Sequence, residues 1–244
     1  RDSVASRGLG DVYKRQFPYS ISLILLCISF SSIAGGFIEV REAYESASKD
    51  HQLKLGGGYN FDNGAGVLYQ TVFNTGKNLE QLKHTFDELE GWYPLWKITD
   101  KLTFYPGGII NSTSAGSTTS PYVQLAYVYN HDLAMAFKYR YNHMNYQTAD
   151  LQGEPDYNDN HQLVMVVNYK MTDNISYEFE PDLYINTGDY KRKNGKDHSW
   201  ELNHKFTWKM TNTWRPFVQL SWLDRDNGNN AERYRIRLGI RYYF

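Results

Sequence analysis

The eleven residues that close the chain, Tyr234-Arg235-Ile236-Arg237-Leu238-Gly239-Ile240-Arg241-Tyr242-Tyr243-Phe244, alternate in character from one to the next. Successive side chains of a strand point to opposite faces. One face therefore carries Tyr234, Ile236, Leu238, Ile240, Tyr242 and Phe244, and the other Arg235, Arg237, Gly239, Arg241 and Tyr243. A period of two excludes an amphipathic helix, which repeats its apolar positions every three or four residues. A strand with an apolar face, an arginine-rich face and a terminal aromatic is the pattern of a transmembrane β-barrel, apolar toward lipid and polar toward a wet lumen. An edge strand of a soluble sandwich is the competing reading.

The other end bounds the problem differently. Residues 17–34 contain the apolar run Ile21-Ser22-Leu23-Ile24-Leu25-Leu26-Cys27-Ile28-Ser29-Phe30 and end in Ser32-Ile33-Ala34, the form of a secretory signal cleaved after Ala34. Leu26 before Cys27 is too bulky for a lipoprotein cleavage site. Arg1 to Gln16 resembles translated adapter sequence rather than a native leader and is set aside with it. Residues 35–244 then hold no cysteine, so an exported chain of this kind takes its stability from packing or from a membrane, not from disulfides. Residues 1–34 carry four positive and two negative charges; without them the chain's −1 becomes −3, and no bulk basicity argues for nucleic acid. Tyrosines number 21 and tryptophans 6, which suits the aromatic girdles of a barrel. No stretch is long and apolar enough for a helical span.

Five connections share one form, an aromatic or apolar strand end followed by a small polar turn: Phe61-Asp62-Asn63-Gly64, Ile98-Thr99-Asp100-Lys101, Tyr129-Asn130-His131-Asp132, Met171-Thr172-Asp173-Asn174 and Met210-Thr211-Asn212-Thr213. Asp, Asn and Gly tolerate positive φ, and short polar side chains bond nearby backbone, so these are tight hairpin turns. Between them lie segments expected to be longer and irregular: 46–50, 74–78, 112–120, 146–160, 186–197 and 224–230. Five turns alternating with six loops predict twelve antiparallel strands in a single domain over 35–244, all-β, with short periplasmic turns, longer external loops and both termini on the periplasmic side.

Strand faces follow from parity. Lys138 and Arg140 oppose Phe137, Tyr139 and Tyr141; Lys54 opposes Leu53 and Leu55; Glu39 and Arg41 share a face. Glu201, Asn203, Lys205 and Thr207 point inward, as do Gln124 and Ala126, while Val123, Leu125, Tyr127 and Tyr129 meet lipid. Leu163, Met165, Val167 and Tyr169 point outward, although Val164 and Val166 opposite them are also apolar. Between Glu88 and Ile98 no clean alternation exists, and Pro94 and Pro106 are expected only near strand ends or bulges.

With strand order and basic residues in place, the chain resembles the oligogalacturonate-specific porin family, which also includes the sialic-acid porin of enteric bacteria. The resemblance rests on Phe61-Asp62-Asn63-Gly64-Ala65-Gly66, Pro121-Tyr122-Val123-Gln124-Leu125-Ala126-Tyr127, Lys138-Tyr139-Arg140-Tyr141, Trp214-Arg215-Pro216, Trp222-Leu223-Asp224-Arg225 and Arg235 to Tyr242 with terminal Phe244. It implies a small, mainly monomeric twelve-stranded barrel that passes acidic oligosaccharides by diffusion along tracks of arginine and lysine. The implied track positions are Arg41, Lys138, Arg140, Lys205, Arg235, Arg237 and Arg241; Gln162 and Gln124 stand where members often carry a basic residue.

The chemistry is that of carboxylates losing water in a narrow pore. Fixed cations offset the loss, arginine with a planar fork and lysine as a mobile point charge. Arg235 and Arg237 lie roughly 7 Å apart at strand rise, comfortable only with water, acid or a passing anion between them. Lys54 and Arg233 join the expected lumen set, with Glu39, Glu178, Glu180 and Glu201 as resting counter-charges. The bland alternative is a solvated interior whose ion pairs only stiffen the wall. The loop cluster Lys191-Arg192-Lys193 with Lys196 is either solvated or concentrates anionic sugars or lipopolysaccharide phosphates.

Enzymatic readings are weaker. A barrel phospholipase needs a serine and histidine on the lipid-facing rim; His204 sits on that face, with no serine at a matching position. The seven histidines are scattered singly, which gives no metal pair and no cofactor site. Glu88 and Glu90 on one face suggest glycosidase chemistry only formally; ion-paired lumen acids are commoner. The expectation is a passive outer-membrane porin for short acidic oligosaccharides, not an enzyme, with a sialic-acid porin and a phospholipase-type barrel as alternatives. Its expected partners are those sugars, outer-membrane lipid and lipopolysaccharide, and the barrel-assembly machinery through Phe244.

Overall fold

The structure, a computed structural model, describes residues 35–150, 152–192, 194–224 and 232–244. The expected signal and leader, Cys27, Lys193 and Arg225 lie outside the described residues. Twelve long strands make up the molecule: β1 Gly36–Glu45, β2 Asp50–Asn60, β3 Gly66–Gly76, β4 Lys83–Trp92, β5 Leu102–Thr113, β6 Ser117–Val128, β7 Leu133–Met144, β8 Asn160–Lys170, β9 Ile175–Asn186, β10 His198–Trp208, β11 Trp214–Leu223 and β12 Arg233–Tyr243. Each pairs antiparallel with its neighbours in sequence, and β12 pairs with β1 from Phe37↔Tyr243 to Glu45↔Arg235, which closes the sheet into a barrel. Closure removes the free edges that an open sheet would expose.

The closing strand behaves as its alternation predicts. Tyr234, Ile236 and Leu238 lie on the exterior, Leu238 at 56% exposure, and Arg235, Arg237 and Arg241 turn inward. The soluble-sandwich reading fails because this exterior apolar face recurs at Val40, Leu89, Ile110, Val123, Leu125, Phe137, Met165 and Leu220, all on strands around the ring. Such a continuous belt has no partner but hydrocarbon. Replacing Leu238 by Arg at the centre of β12 is expected to cost about 2 kcal/mol of barrel stability, because an arginine stem escapes only partly to the interface. Urea-dependent refolding into lipid vesicles, followed by heat-modifiable gel mobility, measures it; an unchanged midpoint would place β12 elsewhere than against lipid.

The turns use one local device. In Phe61–Ala65, the Asn63 Oδ1 accepts from Ala65 N at 3.0 Å, and Gly64 adopts φ +83°. Thr99, Asn130, Thr172 and Thr211 each cap two backbone N–H groups of their own turns. These side chains supply acceptors that a two-stranded end otherwise lacks.

The expected contrast of short turns with longer loops needs correction at two places. Residues 46–49 and 114–116 join β1 to β2 and β5 to β6 as tightly as the opposite turns, so 112–120 is mostly strand and not loop. The Ser/Thr composition there read as irregular, yet β-branched threonines pair well across strands, and Thr113 N bonds Gly116 O at 2.8 Å to close the hairpin. At the opposite end the β4–β5 hairpin continues past Trp92 with a small offset, Trp96–Lys97 pairing with Thr103–Phe104, so the tight turn expected at Ile98-Thr99-Asp100-Lys101 is in place. Segments 145–159 and 187–197, apart from residues 151 and 193, are long connections at the outer end, and the expected loop 224–230 lies beyond Asp224 outside the described residues.

β4 also resolves the region without clean alternation. Glu88 pairs with Gln70 and Asn111, Glu90 with Leu68 and Ile109, and no break occurs at Gly91. Pro94 follows the strand. Pro106 sits within β5 but opposite Tyr93, just past the end of β4, where its missing N–H costs no strand-ladder bond.

A charged lumen as the candidate functional site

The interior of the barrel is held by polar groups. Its buried residues include Glu39, Ser120, Asn160, Gln162, Asp182, Asn203, Gln219 and Ser221, beside a few apolar ones such as Ile109, Val164 and Phe217. Parity places them there: the same register that sends Val40 and Leu238 outward turns Glu39, Arg41, Arg237 and Gly239 inward. The inward-facing charges sort into networks that bridge neighbouring strands.

On β12, β1 and β2, Glu39 accepts from Arg241 Nη2 at 2.6 Å and Nε at 3.1 Å, and its other oxygen lies 2.6 Å from Lys54 Nζ. Lys54 continues to Gln70 (2.9 Å) and Gln70 to Glu88 (2.6 Å), so five residues from five strands form one chain. Nearer the outer end, Glu45 holds Arg233 (2.7 Å) and Arg235 (3.2 Å). Glu201 holds Arg235 and Arg237, both at 3.3 Å. Arg237 also donates to Asn203 and Ser221, each at 3.1 Å. Across the barrel, Lys138 meets Glu90 at 3.3 Å and lies over the Tyr122 ring at 4.3 Å, while the Tyr122 hydroxyl donates to Glu90 at 2.8 Å. Lys205 faces Glu178 at 3.6 Å and the Phe217 ring at 5.1 Å.

The nine cations expected in the lumen are thus all turned inward, but they are not equivalent. Lys54, Lys138, Lys205, Arg233, Arg235, Arg237 and Arg241 carry resident carboxylate partners. Arg41 and Arg140 have no hydrogen bond or ion pair among the described residues, and each has a buried Nε without a partner. Strand order sets them on opposite walls, since β1 and β7 are six strands apart in either direction round the ring. Of the four expected counter-charges, Glu39, Glu178 and Glu201 hold cations, whereas Glu180 has no ion pair among the described residues.

Several lumen residues escaped the sequence reading. Glu45 and Asp182 share parity with residues already chosen, so alternation was enough to find them. Asp182 is bound by Gln162 (2.9 Å) and Asn203 (3.2 Å), which places Gln162 as an amide partner of an acid where a basic residue was anticipated. Arg215 was seen only as part of a motif; its guanidinium stacks 4.2 Å from the Tyr243 ring centroid, beside Arg241, which lies 4.3 Å from that of Phe37. Glu90 pairs with Lys138 across 48 residues, and no local signal announces it.

The residues raised for other chemistries are placed as follows. His204 lies on the outer wall, its Nδ1 2.7 Å from the Tyr177 hydroxyl and its ring stacked on Phe179. Glu88 and Glu90 are engaged by Gln70, Tyr122 and Lys138. Among the described residues, no group of three or more His, Cys, Asp or Glu converges as a metal site.

What this arrangement does chemically is offer anions a polar conduit with guanidinium groups that hold no carboxylate among the described residues: Arg41 and Arg140 on facing walls, and Arg215 stacked on Tyr243. The paired cations present weaker stations, because an entering carboxylate must compete with one already bound.

Comparison with known proteins agrees with the geometry. Residues 28–244 match the model of the family described as "Oligogalacturonate-specific porin protein (KdgM)". The chain is 26% identical over 230 residues to the N-acetylneuraminic acid outer membrane channel protein NanC of Escherichia coli strain K12, covering 90% of this chain and 95% of that one. It is 23% identical over 233 residues to the oligogalacturonate-specific porin KdgM of Dickeya dadantii strain 3937, covering 89% and 94%. The solved structure of the NanC porin superposes with a TM-score of 0.76 at 23% identity, over 85% of this chain and 100% of that one, so the two share a fold.

Proposed function

The chain belongs to the oligogalacturonate-specific porin family, an outer-membrane family, and on that premise we propose that it conducts short acidic oligosaccharides passively, with Arg41 and Arg140 as the principal carboxylate stations. The observation that carries this reading is the division of the nine expected lumen cations into seven with resident carboxylates and two, Arg41 and Arg140, without one among the described residues.

A uronate oligomer bears one carboxylate per acidic sugar, so a chain in transit needs more than one station. Two free forks on facing walls let one carboxylate be released while another is held. The surrounding pairs lend further contacts by exchanging Glu39, Glu45, Glu90 or Glu201 for a substrate carboxylate. Several weak stations favour both entry and exit, which a single tight site would not. The paired cations also stiffen the wall, so the stiffening role and the conducting role coexist. A monocarboxylate sugar such as N-acetylneuraminate is the second reading, favoured by the likeness to NanC; it needs one fork at a time.

Planar-bilayer recording of the refolded chain tests this. The expected result is discrete conductance steps with anion preference and transient block by trigalacturonate. Block by N-acetylneuraminate alone would move the assignment to the second reading. Absence of steps, or cation preference, would overturn the proposal.

A further inference from the structure

Arg192, in the β9–β10 connection at the outer end, lies beyond the barrel wall and is not among the lumen cations described above. Its Cζ sits 5.1 Å from the ring centroid of Tyr184, which shares the inward face of β9 with Asp182. The connection therefore bends back over the mouth.

Two sets of contacts hold it there. A tight hairpin fixes the backbone, with Arg192 N bonded to Lys196 O at 2.9 Å and Gly195 N to Arg192 O at 2.8 Å. Tyr190, only 7% exposed, donates its hydroxyl to Ala149 O at 3.1 Å and lies 3.2 Å from Thr148 Oγ1, while its carbonyl accepts from Asn186 Nδ2 at 3.0 Å. Thr148 and Ala149 belong to a short ribbon paired with Pro155–Asp156, so this connection is latched to the one between β7 and β8.

The guanidinium so positioned is unsatisfied. Its Nε and Nη2 are both buried and without hydrogen-bond partners, and it forms no ion pair among the described residues. These two nitrogens share one edge, the edge whose paired N–H groups match the two oxygens of a carboxylate. Stacking on Tyr184 occupies the face of the group, and the edge is covered yet unpartnered, so an incoming carboxylate reaches it by displacing what covers it. Burial lowers the pKa of Arg192, with Tyr184 and Tyr190 opposing the shift in part, and a guanidinium stays protonated in proteins.

We infer that Arg192, with Tyr184 and Tyr190, is an entry site that captures the carboxylate of an acidic sugar at the outer mouth before it reaches the lumen stations. The inference rests on the acidic-sugar reading and adds to it the place and side of first contact. Tyr184 supplies an aromatic surface for the sugar ring, and the loop latch keeps the fork aimed inward without spending the substrate's binding energy on ordering it.

The test uses the full chain in planar bilayers, with trigalacturonate added to one side at a time. Arg192→Gln is expected to slow the onset of block about tenfold from the loop side, the factor typical of losing one charge-assisted contact, and to leave turn-side block and open-channel chloride conductance unchanged. Arg192→Lys recovers less than half of the lost rate, because a point charge lacks the fork. Equal block kinetics in wild type and Arg192→Gln would overturn the entry site while the acidic-sugar reading stands. Equal loss from both sides, or full recovery by lysine, would overturn it as well. A wild-type channel that trigalacturonate never blocks would sink the acidic-sugar reading itself, and the entry site with it.

Discussion

Exchanging Arg41 and Arg140 together for glutamine is expected to weaken trigalacturonate block about a hundredfold, since each charged contact is worth roughly tenfold and sites on opposite walls add nearly independently. Each single variant loses about tenfold on the same grounds. The barrel itself should not suffer. Neither guanidinium has an ion pair or hydrogen bond among the described residues, and Arg41 sits directly across from Lys54 in the β1–β2 register, where like charges repel. Arg41→Gln is therefore expected to leave the urea midpoint unchanged or slightly higher. This separates it from Arg235→Gln and Arg237→Gln, which leave Glu201 short of a cation and perturb the wall as well as the path. Single-channel block, measured beside urea refolding, reads both effects. Should the double variant block like wild type while Arg237→Gln does not, the paired cations carry the substrate and the division into free and committed groups has no functional meaning.

Glu39→Gln should act in the opposite sense. Glu39 is 5% exposed and is the shared anion of Lys54 and Arg241. Removing its charge leaves two inward cations uncompensated, and a broken buried pair of this kind costs about 3 kcal/mol. Lumen water and the neighbouring Gln70 absorb part of that cost, but the glutamine turns a donor amide toward at least one cation. The urea midpoint for loss of the heat-modifiable barrel should fall accordingly. In channels that still form, the two released cations join Arg41 on the same wall, so anion preference rises. A variant with the wild-type midpoint and wild-type selectivity would show that Glu39 is a bystander in a wet lumen, its short contacts without energetic weight.

The two predictions depend on different kinds of information, and the sequence was legible for one kind only. Parity along β12 separated Ile236 and Leu238 from Arg235 and Arg237 without any structure, because side-chain direction on a strand is a property of adjacent residues. The same holds for the polar turn at Asp62-Asn63-Gly64 and for the caps at Thr99, Asn130, Thr172 and Thr211, whose bonds span two or three residues. Twelve strands and their faces follow from such local signals once the chain is known to close. Composition misled only where it stood for geometry: the Ser/Thr run at 112–120 is strand, while Glu88 and Glu90 of β4 were read on one face but without a register, which Gly91 and Pro94 obscured.

Partnership is another matter. That Lys138 is committed to Glu90, that Glu45 spans Arg233 and Arg235, and that Arg41 and Arg140 are left over depends on register across strands 34 to 190 residues apart, as in Glu201 with Arg235 or Glu45 with Arg235. Arg192 is the extreme case, read along the chain as one charge in a solvated run, yet brought over Tyr184 by a latch between two separate loops. Alternation tells a residue which way to face and nothing about whom it will meet. An inward arginine becomes a station or a strut according to whether closure brings a carboxylate within reach, and that distance exists only once the sheet has joined its two ends.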